Sequence, residues 1–139
     1  MKFISQFLFA SFMFLSACSR DNNNVVPTNA LTSVISQSRW IVSNFRKEGN
    51  DQLFLFGGYR FTFGSNTTVT AERNNGAAAQ GTWNSSALNG KSILFLDFAS
   101  TPDFERLNGN WETVELNSGF IRLQMGTDGS NLLSFEVNP

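Results

Sequence analysis

The sequence predicts an all-β domain, an eight-stranded antiparallel up-and-down barrel with a short helix before it. Apolar and polar residues alternate with a period of two in eight short segments, which is typical of half-buried strands. Links rich in Asn and Gly separate most of these segments and supply the positive φ angles that hairpin turns need. Strands joined so tightly pair antiparallel, and closing them into a barrel removes the exposed edges.

One longer connection, residues 101–109, interrupts the pattern and suggests a single helical turn. A two-sheet sandwich would need several such crossings, so the barrel is favoured over it. The predicted strands cover residues 40–43, 59–63, 68–72, 80–84, 92–98, 111–116, 120–125 and 132–137.

The chain begins with a segment typical of an export signal. Lys2 supplies a positive charge, and an apolar run from Phe3 to Leu15 follows it, too short to span a bilayer as a helix. Residues 15–18 read Leu-Ser-Ala-Cys and resemble the lipobox of bacterial lipoproteins. The resemblance implies that Cys18 becomes the acylated first residue of the mature protein, held to the membrane by its acyl chains. Cys18 is the single cysteine, so no disulfide forms within one chain.

Three regions follow from this assignment. Residues 1–17 form the signal peptide, residues 18–29 the lipidated cysteine and a polar flexible tether, and residues 30–139 the barrel domain. About ten flexible residues reach roughly 18 Å. The expected location is the outer membrane, with the domain facing either the periplasm or the cell surface.

A short helix is predicted over residues 30–38, since Leu31, Val34 and Ile35 fall on one apolar face. Thr28 or Asn29 is the expected N-cap. The helix is too short to be stable alone and should dock on the strands.

Six short motifs are spread along the chain: SRW (38–40), GYRFTF (58–63), TVTA (68–71), GTW (81–83), LFLDF (94–98) and FERLNGNW (104–111). Together they resemble the lipocalin-like lipoproteins of Bacteroidota, over nearly the whole mature chain. The resemblance implies a barrel that binds a small hydrophobic molecule. It also implies that Arg122 could take the place of the lipocalin arginine that packs across the first-strand tryptophan, here Trp40. The alternative is that Arg122 is a solvent-facing strand residue.

A ligand would meet the large aromatic residues predicted to line the barrel or its mouth. Eight-stranded barrels are just wide enough either to be filled by side chains or to admit one small ligand, so a filled core remains an equal alternative. The candidate ligand-binding residues are Trp40, Phe54, Phe56, Tyr59, Phe61, Trp83 and Trp111.

The apolar run of residues 53–56, Leu-Phe-Leu-Phe, is the most suggestive of these features. It has three interpretations. It caps the mouth of the barrel as a lid, it begins the second strand through a glycine bulge at Gly57-Gly58, or it forms an exposed contact patch.

Catalytic chemistry finds little support in the sequence. The chain has no histidine, and no phosphate-binding or nucleophile motif occurs. Glu112 and Glu115 are three apart on a strand and should face opposite sides, which excludes a carboxylate dyad. Asp128 lies in a Gly-rich link, where a turn role is favoured over calcium binding. We expect no enzyme activity, no cofactor and no metal, and the formal net charge of −1 gives no reason to expect nucleic acid.

The sequence therefore predicts a lipid-anchored binding protein of the cell envelope, with a small hydrophobic ligand in the barrel interior or mouth. The alternative is a non-enzymatic protein-interaction module, an inhibitor or assembly subunit, whose barrel is filled by side chains.

Overall fold

The structure is a computed structural model that describes residues 27–99 and 101–139, apart from the side chain of Thr28. The signal segment and Cys18 lie outside the described residues. In chain order the elements are α1 (Thr28–Ile35), β1 (Arg39–Lys47), β2 (Asn50–Asp51), a 3-10 helix (Leu53–Phe56), β3 (Arg60–Phe63), β4 (Thr68–Glu72), β5 (Ala78–Leu88), β6 (Lys91–Asp97), a second 3-10 helix (Phe104–Leu107), β7 (Gly109–Asn117), β8 (Phe120–Met125) and β9 (Asn131–Val137).

Eight of these strands form a closed antiparallel barrel. Strands β3 to β9 pair with their neighbours in chain order, β1 pairs with β3, and β1 closes the barrel by pairing with β9. The two-residue strand β2 pairs only with the end of β1. The predicted all-β, eight-stranded antiparallel barrel is confirmed, and each of the eight predicted strands is present.

Helix α1 differs from its prediction in its bounds and in its cap. It begins at Thr28, inside the segment assigned to the tether, and ends at Ile35. Pro27 occupies the N-cap position and makes no side-chain capping hydrogen bond, so the expected Thr28 or Asn29 cap is wrong. The Pro27 carbonyl instead accepts the N–H groups of Ala30 and Leu31. Proline is tolerated at a helix start because the amide hydrogen it lacks would have no helical partner there.

Different elements close the two ends of the barrel. At the helix end, where β1 begins, α1 packs on β5 and β6 with Leu31 and Ile35 fully buried. At the opposite end, called the 3-10 end, the two 3-10 helices meet, and the rings of Phe56 and Phe104 lie 5.4 Å apart between centroids. No helix of the described residues is long and apolar enough to cross a membrane.

A β-bulge in β7 overturns one expectation. The pairing with β8 skips Val114, between Thr113 and Glu115. Since the extra residue shifts the alternation by one, Glu112 and Glu115 both lie on the outer face, and the expected opposite orientation is wrong. They do not act together, because Glu112 pairs with Lys91 at 3.1 Å and Glu115 pairs with Arg122 at 3.2 Å, each measured from nitrogen to carboxylate oxygen.

Candidate functional site

The barrel interior is the first place to look for a ligand site, and aromatic rings fill its centre. Phe61 on β3 lies 5.5 Å from the ring of Phe135 on β9 and 6.4 Å from that of Phe98, which follows β6. Phe63 lies 5.7 Å from Phe135 and 5.6 Å from Trp83, again between centroids. These distances are those of direct edge-to-face contact. The rings thus bridge strands on different sides of the barrel.

The three tryptophans use their indole N–H groups to hold the ends of the barrel. Trp40, fully buried, donates to the Ile35 carbonyl at the end of α1, at 2.8 Å. Trp111, also fully buried, donates at the same distance to Leu107, at the end of the second 3-10 helix. Trp83 donates to the Gly64 carbonyl at 3.0 Å. An indole has one donor, so none of the three N–H groups remains for a ligand.

The segment Leu53–Phe56 is a 3-10 helix, so the interpretation of it as the start of the second strand is wrong. Gly58 has a φ of +79° and turns the chain into β3. Phe56 is 1% exposed and inserts between the rings of Phe45 and Phe104, whereas Phe54 is 76% exposed. The segment therefore closes the 3-10 end with one ring and presents the other to solvent.

Tyr59 is half-buried beside this closure. Its ring lies edge-on to Phe104 at 4.9 Å, and the guanidinium carbon of Arg73 lies 4.2 Å above the ring centroid. Of the seven aromatic residues predicted to contact a ligand, four are at most 1% exposed and Trp83 is 5% exposed. Phe54 and Tyr59 are the two that a molecule outside the barrel can touch. Ligand binding by these residues remains a prediction.

Arg122 faces outward. Its side chain is 51% exposed, forms the ion pair with Glu115, and lies 5.5 Å from the Phe120 ring centroid. The solvent-facing alternative is therefore correct for Arg122, and the arginine position of the lipocalin pattern is not filled by it.

The outer surface carries clefts, and described residues line the following three. One of about 300 Å³ is lined by residues of β4, β5 and β6 that include Gly81 and Asp97. One of about 270 Å³ lies between α1, the turn at Thr67 before β4, and Ser85 on β5. The third, of about 110 Å³, is lined by Arg39, Arg60, Thr62, Glu72, Arg73 and Asn74. This last cluster was not predicted from the sequence, although Arg60 and Thr62 alternate with the inward Phe61 and Phe63.

Two buried hydroxyl groups were also not predicted from the sequence. Ser92 and Thr113 are 1% and 6% exposed, and neither hydroxyl has a hydrogen-bond partner among the described residues. They lie on β6 and β7, next to the paired residues Ile93 and Glu112. A buried hydroxyl without a partner costs about 1–3 kcal/mol, so these two atoms are the polar exceptions in an apolar interior.

Asp128 performs a turn role at the 3-10 end. Its carboxylate accepts the Ser130 backbone N–H at 3.0 Å and the Ser130 hydroxyl at 2.7 Å. These two hydrogen bonds, the backbone one first, lower the pKa of Asp128. Among the described residues, no group of three or more acidic or cysteine side chains is placed to hold a metal ion.

Comparison with known proteins shows a shared fold. No family model matches the chain, and no curated protein matches it. Among solved structures, the crystal structure of a duf4847 family protein from Bacteroides vulgatus ATCC 8482 is similar, with a TM-score of 0.53 and 17% sequence identity. The similarity covers 78% of this chain and 97% of that protein. At this identity the likeness is one of fold, and it places the same β-barrel in a protein of a Bacteroides species.

Proposed function

We propose that this chain is a lipid-anchored protein of the bacterial outer membrane that acts through its outer surface, as a non-enzymatic interaction module. The observation that carries the proposal is the occupied interior. Rings from β1, β3, β9 and the 3-10 helices contact one another across the barrel, and the residues that would line a cavity are almost fully buried.

The anchor rests on the sequence of residues 15–18, which lie outside the described part of the chain. The position of the anchor in the chain determines which end of the barrel is attached to the membrane. The tether leads into α1, at the helix end of the barrel, whereas Phe54 lies at the 3-10 end. Strand β1 connects the two ends over nine residues, or about 30 Å at the usual rise per residue. Phe54 is therefore at the end of the barrel remote from the attachment point.

Membership of the lipocalin-like lipoproteins of Bacteroidota belongs to the same proposal. The eight-stranded barrel and its likeness to a Bacteroides protein support it. The outward Arg122 argues against a standard lipocalin arrangement at that position.

Xenon tests the occupied interior, because it enters dry apolar cavities that are open to it. Crystals of the protein pressurised with xenon should show no ordered xenon among Trp40, Phe61 and Phe135. An ordered xenon atom at the centre of the barrel would overturn the proposal in favour of interior binding.

A second function, binding of a small apolar ligand at the 3-10 end, is favoured by one observation. Phe54 is 76% exposed, and the half-buried Leu53 and Leu55 flank it. Replacing Phe54 with Ser should abolish binding of such a ligand without unfolding the barrel. Isothermal titration with a fatty acid compares Phe54→Ser with the unchanged chain, and equal affinities exclude this function.

A further inference from the structure

We propose that the cleft on the outer face of β1, β3 and β4 binds a tetrahedral oxyanion, the chemistry shared by free phosphate, sulfate and a phosphorylated headgroup. The inference goes beyond the proposed function and does not depend on it, since an anion in this cleft requires neither the lipid anchor nor a filled barrel. Three arginines, one glutamate, a threonine and an asparagine line it: Arg39, Arg60, Arg73, Glu72, Thr62 and Asn74.

Strand pairing places these side chains together although they are distant in sequence. Arg39 on β1 lies opposite Thr62 on β3, and Arg60 on β3 lies opposite Glu72 on β4. Their chain neighbours Trp40 and Phe61 are buried in the core. Since side chains alternate along a strand, the two arginines project outward on the same side of the sheet.

Two of the guanidinium groups are held in position by neutral partners. Arg73 donates from Nε to the Gly57 carbonyl at 2.9 Å and stacks on the Tyr59 ring. Arg60 donates from Nη2 to the side-chain oxygen of Asn74 at 2.7 Å. Such contacts fix the planar groups while leaving further N–H donors for a ligand. A fork of donors suits the oxygens of phosphate or sulfate.

The cleft carries a net positive charge. Three arginines face one glutamate, which gives a formal charge of +2 in a chain whose net charge is −1. In the described part of the chain there are two ion pairs within 4 Å, Lys91 with Glu112 and Arg122 with Glu115, and neither involves these arginines. Neighbouring like charges repel, and an anion bound among the arginines offsets that repulsion. The cleft volume of about 110 Å³ exceeds the ~10–15 Å³ that a single water needs.

Titration calorimetry on the full chain in non-ionic detergent, at low ionic strength, tests this site. The probes are inorganic phosphate and sulfate as free anions, and glycerol 3-phosphate as the soluble form of a phospholipid headgroup. Arg39→Gln should weaken binding about tenfold or more, because it removes a charge-assisted contact. Arg46→Gln is the matched control: it removes the same charge from an exposed position of β1 outside the cleft and should leave the affinity unchanged.

Glu72→Gln should strengthen binding, because it removes the one negative charge of the cleft. A merely structural role of the cluster would not produce this gain. Arg60→Gln repeats the test if Arg39→Gln does not fold. If all three probes bind and Arg39→Gln weakens each of them, a free anion is sufficient as the ligand. If glycerol 3-phosphate alone binds and is weakened by Arg39→Gln, the ligand is a phosphorylated headgroup. Absence of binding, or equal losses in Arg39→Gln and Arg46→Gln, overturns the proposal.

Discussion

Replacement of Phe56 with Ala should cause a large loss of stability, because this ring closes the 3-10 end of the barrel. Phe56 is 1% exposed, and its ring centroid lies 5.2 Å from Phe45, 5.4 Å from Phe104 and 6.5 Å from Phe61. Burial of a phenylalanine side chain contributes about 1.5–3 kcal/mol. The cavity left behind raises the usual cost of Phe→Ala to about 3–5 kcal/mol. We expect a value in this range, since the ring joins three separate elements.

Phe54→Ala is the matched control, two residues away in the same 3-10 helix. Phe54 is 76% exposed, so its removal should change the free energy of unfolding by no more than about 0.5 kcal/mol. Urea unfolding followed by tryptophan fluorescence gives both values. The reasoning would be refuted if Phe56→Ala were as mild as Phe54→Ala, because the segment would then not be part of the core.

Three further predictions follow from other positions. Gly81→Ala should destabilise the fold by about 1–3 kcal/mol, because the added Cβ meets the Asp97 carbonyl oxygen and lies 2.9 Å from the Phe98 ring. Gly119→Ala is the control, since the nearest atom to its added Cβ is 3.8 Å away, and it should be neutral in the same urea experiment. The lowered pKa of Asp128 means that its carboxylate stabilises the fold above the pKa of an unfolded aspartate and loses this effect as the pH falls through the folded pKa. Asp128→Ala should therefore have a lower thermal midpoint than the unchanged chain at neutral pH and the same midpoint in strong acid. If the two midpoints differ equally at both pH values, the Asp128 carboxylate is not the source of the stabilisation. Cys18→Ala should abolish acylation and membrane retention in cell fractionation, and an unaltered distribution would show that the lipobox interpretation is wrong.

The strands could be predicted from the sequence because the residues of a half-buried strand alternate between apolar, on the buried face, and polar, on the exposed face. Tyr59 to Phe63 shows this, with Phe61 and Phe63 buried and Thr62 exposed. The bulge at Val114 could not be predicted, since nothing in the local pattern marks an extra residue, and it reversed the expected orientation of Glu115.

The candidate sites were harder to predict, because they depend on contacts between distant segments. All four residues of the run 53–56 are apolar, so its sequence alone does not distinguish a strand from a segment that closes the end of the barrel. Its 3-10 conformation places Phe56 against Phe104, 48 positions further along the chain, and leaves Phe54 outside. The arginine cleft likewise depends on the register that brings Arg39 beside Thr62.

Native mass spectrometry of the full chain, extracted from its own membranes in mild detergent, tests the central claim most directly. If the barrel is filled by its own side chains and the protein acts through its surface, the mass should equal that of the mature chain plus the acyl groups on Cys18. A stoichiometric apolar ligand that persists in Phe54→Ser would contradict the account, because that variant removes the exposed ring at the 3-10 end and leaves the barrel interior as the place for the ligand.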